Sequence, residues 1–112
     1  FGEEEYTRAY TAAADTWQAG RLTFKIYSPF DSVPDFAALP TEERKKYCLP
    51  AILAELTLDN TDGTEPVTAF FGMDNVGRLI GDHSDTLAGG ANARHFGFAA
   101  DKSLVRAHIG MY

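Results

Sequence analysis

Two carboxyls flanking an acetal bond can act as general acid and as base or nucleophile, so the sixteen Asp and Glu residues of this chain are weighed first. Each obvious cluster has an ordinary use. Glu3, Glu4 and Glu5 form a solvated acidic run, Glu42 and Glu43 open a helix, and Asp59 and Asp62 belong to a turn. No catalytic residue is therefore assigned. His83, His95 and His108 lie 12 and 13 positions apart, with no HExxH or cysteine context, which is no metal-ligand spacing. Neither a metal nor a cofactor is expected. Cys48 is the one cysteine, 35 positions from the nearest histidine, and reads as an inert, buried or half-buried thiol. The run Gly72-Met73-Asp74-Asn75-Val76-Gly77 lacks the spacing and the following helix of a phosphate loop.

Fourteen aromatic residues leave a different chemistry open. Flat Trp or Tyr rings with Asp or Asn beside them stack on sugar rings, and the candidate contacts of that kind are Trp17, Tyr27, Phe71, Asp74 and Asn75. Trp17, expected in a turn between two strands, serves packing at the end of a sandwich just as well. Phe70 and Phe71, read as neighbours on one strand, point to opposite faces, which suggests a second layer over that sheet.

The elements that must position these residues follow from alternation. Tyr6, Arg8, Tyr10 and Ala12 share one side of a strand within residues 4–12, and Asp15 to Gly20 reads as a turn. Leu22, Phe24 and Ile26 alternate with Arg21, Thr23 and Lys25, a strand with one dry side. Pro29, Pro34 and Pro40 make Ser28 to Pro40 an extended loop. Thr41 to Tyr47 is a short helix with Thr41 as N-cap, acids first and bases last. Ile52, Ala54, Leu56 and Leu58 share a face of the next strand, and the turn Asn60 to Thr64 predicts a hairpin with Val67 to Met73. Val76 to Ile80 reads as a short strand and Gly81 to Asn92 as a loop. Arg94 to Ala99 and Leu104 to Met111 read as a last strand pair with a turn near Asp101-Lys102. The fold class expected is mainly β, an antiparallel β-sandwich with one short helix, part of a larger sandwich.

Composition bounds the partners. With 45% apolar and 23% charged residues the chain is globular, and its apolar runs are far too short to span a membrane. A net charge of −6 offers no cationic surface for nucleic acid. One thiol and no internal disulfide fit a reducing compartment, which favours the cytoplasm. The chain starts at Phe1 without Met or signal peptide and stops at Tyr112 after a strand-like run, so both ends read as cuts.

A series of short pieces carries a resemblance. Asp15-Thr16-Trp17-Gln18-Ala19-Gly20, Leu22-Thr23, Ile26-Tyr27-Ser28-Pro29 and Val33-Pro34-Asp35 come first. Thr41-Glu42-Glu43, Leu49-Pro50-Ala51, Leu58-Asp59-Asn60-Thr61-Asp62-Gly63-Thr64 and Ala69-Phe70-Phe71-Gly72 follow in order. Together they resemble glycoside hydrolase family 52, whose characterised members are β-xylosidases. The stretch from Met73 to Asn92 departs from that pattern. The resemblance implies a parent with an N-terminal β-sandwich and an (α/α)6 helical barrel holding both carboxylates of a retaining hydrolase. Residues 1–112 would then be a fragment of the sandwich, inactive alone, with the helical domain as its partner, a xylo-oligosaccharide or related sugar as ligand, and homodimer contacts as a further expectation. A freestanding carbohydrate-binding or interaction module is the alternative, and it would need Trp17 and Tyr27 exposed on one flat face.

Overall fold

The computed structural model describes residues 5–29, 32, 34–82, 84–92 and 96–110. They are mainly β, in two antiparallel sheets, and the chain divides into two compact units, residues 1–70 and 71–112.

In the first unit β1 (Thr7–Tyr10), β2 (Ala14–Ala19), β3 (Leu22–Tyr27) and β4 (Leu53–Leu58) lie in chain order across one sheet. The stretch Asp15 to Gly20, expected to be a turn, is mostly strand. Thr16 and Trp17 favour a pleated surface, and the reversal needs only Gly20 and Arg21, because Ala19 already pairs with Leu22. Gly20 alone of these two takes positive φ, +56°, the requirement of a II′ hairpin loop. Pairing of Phe24 with Leu56 and of Trp17 with Phe24 puts Trp17, Ala19, Leu22, Phe24, Ile26, Ala54, Leu56 and Leu58 on one face. Thr16, Thr23, Lys25, Tyr27, Glu55 and Thr57 occupy the other. The two faces expected for β3 and β4 both form, but the apolar one is not dry: β3 is half-buried throughout, and Ala54 and Leu56 are exposed.

Within the stretch from Ser28 to Pro40, residues Phe36–Ala38 form a 3-10 turn capped by Asp35, whose carboxylate accepts from Ala37 N at 3.0 Å. Helix α1 spans Thr41–Tyr47, but Pro40 rather than Thr41 stands at its N-cap. Pro40 has extended backbone there, and its carbonyl accepts from Glu43 N and Arg44 N, both 3.1 Å, which leaves Thr41 inside the first turn. Arg44 ties the helix back to the 3-10 turn by donating from Nε to Leu39 O at 2.7 Å. Cys48, at the C-cap, is exposed rather than buried, as is every residue of this short helix.

The predicted hairpin beyond β4 does not form. Its turn is present: Gly63 N donates to Asn60 O at 3.1 Å, and Asn60 Nδ2 to Glu65 O at 3.0 Å. Yet Val67 to Met73 is irregular, with Phe70 84% exposed, and among the described residues β4 pairs on its β3 side alone.

The second unit holds β5 (Arg78–Leu79), β6 (Leu87–Ala91) and β7 (Gly97–Asp101), with β6 in the centre. The glycine-rich stretch expected to be a loop thus supplies the middle strand. A Cβ at Gly89 would collide with the Phe98 carbonyl oxygen and come within 2.8 Å of Ala99 Cα, so small residues here allow close backbone approach. The last expected strand, Leu104 to Met111, is irregular over its described part; Leu104 N turns back to Asp101 O at 3.0 Å. The reversal near Asp101-Lys102 is where the sequence places it. Asp101 accepts from Ser103 N at 2.8 Å and from Ser103 Oγ at 2.6 Å.

Candidate functional site

Hairpin β1–β2 builds the most connected side-chain cluster. Arg8 pairs across the ladder with Trp17 and Tyr10 with Asp15, all four on the apolar face. The Arg8 guanidinium lies 4.8 Å from the Trp17 ring centre and 5.6 Å from that of Tyr10, while Nε donates to Asp15 Oδ1 at 3.0 Å and a second nitrogen to Oδ2. The bidentate bond holds the Asp15 carboxyl below the ordinary range and pushes Arg8 higher still. One side of Trp17 is therefore covered by Arg8, and Phe24 stands against it at 5.9 Å. Reading Asp15 to Gly20 as a turn hid this cluster. The reversal at Thr11 to Ala13, where Thr11 N donates to Ala14 O at 2.8 Å, brings residues 8, 10, 15 and 17 onto one face.

Tyr27 sits on the opposite face. Its hydroxyl donates to Glu55 Oε2 at 2.9 Å, Thr57 Oγ1 donates to Glu55 Oε1 at 3.1 Å, and Lys25 Nζ lies 5.4 Å from the Tyr27 ring centre. Those bonds, Tyr27 first, lower the Glu55 pKa. Trp17 and Tyr27 are both half-buried and on opposite sides of one sheet, so no single flat surface contains both.

The remaining candidates lie in the second unit. Phe71 packs edge-on against Phe98 with centroids 5.4 Å apart. Asp74 and Asn75 form an exposed turn, in which Asn75 takes φ +61° and its carbonyl accepts from Asn92 Nδ2 at 3.3 Å. An open groove of about 410 Å³ is lined by Leu79, Gly81, Ala88, Lys102, Val105, Arg106 and Ala107. The Lys102 ammonium is already engaged, donating to Gly81 O and Ser84 O at 3.2 Å each.

Among the described residues, Asp59 and Asp101 complete the carboxylates whose acidity is shifted. Each caps its own turn, Asp59 through Thr61 Oγ1 and N and Asp101 through Ser103, and each is lowered by those bonds. Carboxyls stabilised as anions are poor proton donors at neutral pH. His108 is exposed, and His83 and His95 fall outside the described residues. Among the described residues no group of three or more His, Cys, Asp or Glu is placed to hold a metal ion, and no helix is long and apolar enough to cross a membrane.

Comparison with known proteins accounts for the order of these pieces. The chain is 50% identical over 76 residues to a beta-xylosidase of Geobacillus stearothermophilus, covering 67% of this chain and 12% of that protein. It is 38% identical over 114 residues to another beta-xylosidase of the same organism, covering 97% of this chain and 16% of that protein. The chain thus spans less than a fifth of the length of these relatives. The family model for glycosyl hydrolase family 52 matches residues 1–111, and the chain belongs to that family.

Proposed function

We propose that residues 1–112 form a noncatalytic part of the β-sandwich of a retaining β-xylosidase, whose two catalytic carboxyls stand in a helical barrel elsewhere in the polypeptide. The observation that carries this reading is coverage: the similarity runs over 97% of this chain yet takes up only 16% of a beta-xylosidase. The chemistry of the carboxylates supports it. A retaining hydrolase needs one carboxyl kept protonated about 5 Å from a second that attacks the sugar. Asp15, Glu55, Asp59 and Asp101 are each committed to local hydrogen bonds that keep them ionised. The placement of Trp17 and Tyr27 on opposite faces speaks against a freestanding sugar-binding module built on both rings.

In the whole polypeptide, Asp15→Asn, Glu55→Gln, Asp59→Asn and Asp101→Asn should each leave kcat on an aryl β-xyloside within about threefold. Removing a general acid or base costs roughly 10²–10⁴-fold. A loss of that size in any one of the four, with the fold retained by circular dichroism, would put the chemistry in this segment. The polypeptide 1–112 alone should show no turnover, and measurable hydrolysis by it would overturn the reading.

A further inference from the structure

The two edges of the first sheet are built differently. Asp59 N donates to Arg21 O at 2.9 Å, and these residues continue the β3–β4 register, so they form a hydrogen-bonded pair. Alternation then turns the N–H and C=O groups of Leu53, Glu55 and Thr57 toward β3. Those of Ala54, Leu56 and Leu58 point away from it. By the same logic Thr11 N to Ala14 O, 2.8 Å, leaves Arg8 and Tyr10 with outward-facing groups on β1.

Edge strands in soluble proteins are kept from pairing by shortness, charge, proline or bulges. The β1 edge has two of these: it is four residues long and carries Arg8. The β4 edge has none. It runs six residues without bulge or proline, its one charge, Glu55, is tied to Tyr27 and Thr57, and its outward positions are Ala, Leu and Leu. Leu53 and Leu56 are exposed, at 70% and 36%.

We propose that the bare edge of β4 receives a further strand supplied by the same polypeptide outside residues 1–112. This rests on the reading that the chain is part of a longer hydrolase, whose relatives are more than five times its length. The added strand presents backbone groups to Ala54, Leu56 and Leu58. It carries apolar side chains on the Leu56 face and polar ones beside Glu55 and Thr57.

Hydrogen exchange on the whole polypeptide tests this at the residues named. The amides of Ala54, Leu56 and Leu58 should exchange at least about 100-fold slower than unstructured amides, equally at high and tenfold lower protein concentration. Free exchange at all three would mean that the edge stays bare, and protection that fades on dilution would assign it to a second copy; either overturns the proposal. A pair of variants gives an independent reading. Leu56→Ala and Leu56→Pro remove the same side chain, but only proline removes the N–H. An edge facing solvent accepts proline, so equal melting temperatures contradict the added strand and a clearly lower one for Leu56→Pro supports it. Neither measurement depends on where catalysis occurs, so its failure is separable from failure of the proposed function.

Discussion

Arg8 joins β1 to β2 by charge and by ring stacking at once, and this makes Asp15 a reporter of the hairpin. Its pKa is depressed in the folded state. The stability it contributes is therefore complete above the unfolded value, about 3.9, and is lost as pH falls through the folded value. Titration of the Asp15 carboxyl carbon by NMR should show a midpoint below that of a free aspartate, and Arg8→Ala should move it upward. An unchanged midpoint would mean that the pair does not form in solution. Two neighbouring glycines separate a backbone limit from a side-chain limit. Gly89→Ala meets the Phe98 and Ala99 backbone and should cost about 1–3 kcal/mol in denaturant melts, as overpacking does. Gly90→Ala meets the end of Val76, so adding Val76→Ala should recover most of its cost while leaving Gly89→Ala unrescued. Equal rescue of both would contradict the assigned packing.

Among the elements, strands whose apolar residues alternate cleanly were legible, and strands defined by small residues or by pairing were not. The faces of β3 and β4 follow from Leu22, Phe24, Ile26, Leu56 and Leu58 alone. Strand β2 has only Trp17 as a large apolar residue, and β6 is Leu-Ala-Gly-Gly-Ala, a pattern that period-2 reasoning assigns to a loop. The hairpin after β4 failed for another reason: a good turn at Asn60 to Gly63 fixes a local reversal but does not by itself extend a ladder, and the outer edge of β4 stays unpaired among the described residues. The candidate sugar contacts fared similarly. Sequence could name Trp17 and Tyr27 but not their opposite faces, which depend on the β2–β3 register set by Gly20. That residue gives a direct test of the element. No atom lies within 4 Å of a Cβ built there, so Gly20→Ala should cost only the strain of positive φ, about 1–2 kcal/mol, and Gly20→Asn less. Thermal melts that rank alanine equal to glycine would contradict the II′ loop.

At the scale of the molecule the sparse interior is the governing fact. Ala88 is the one apolar residue that is buried among the described residues, while Ile52, Leu53, Phe70 and Leu104 are each 70% exposed or more. Each such side chain left in water forgoes about 1.5–3 kcal/mol, so covering surface from the rest of the polypeptide would contribute substantially to stability. The direct test is to trap the covalent glycosyl-enzyme of the whole polypeptide with a 2-deoxy-2-fluoro-xyloside and to locate the label by peptide mass mapping. The account expects the labelled carboxylate outside residues 1–112, and a label on any Asp or Glu within them would contradict it.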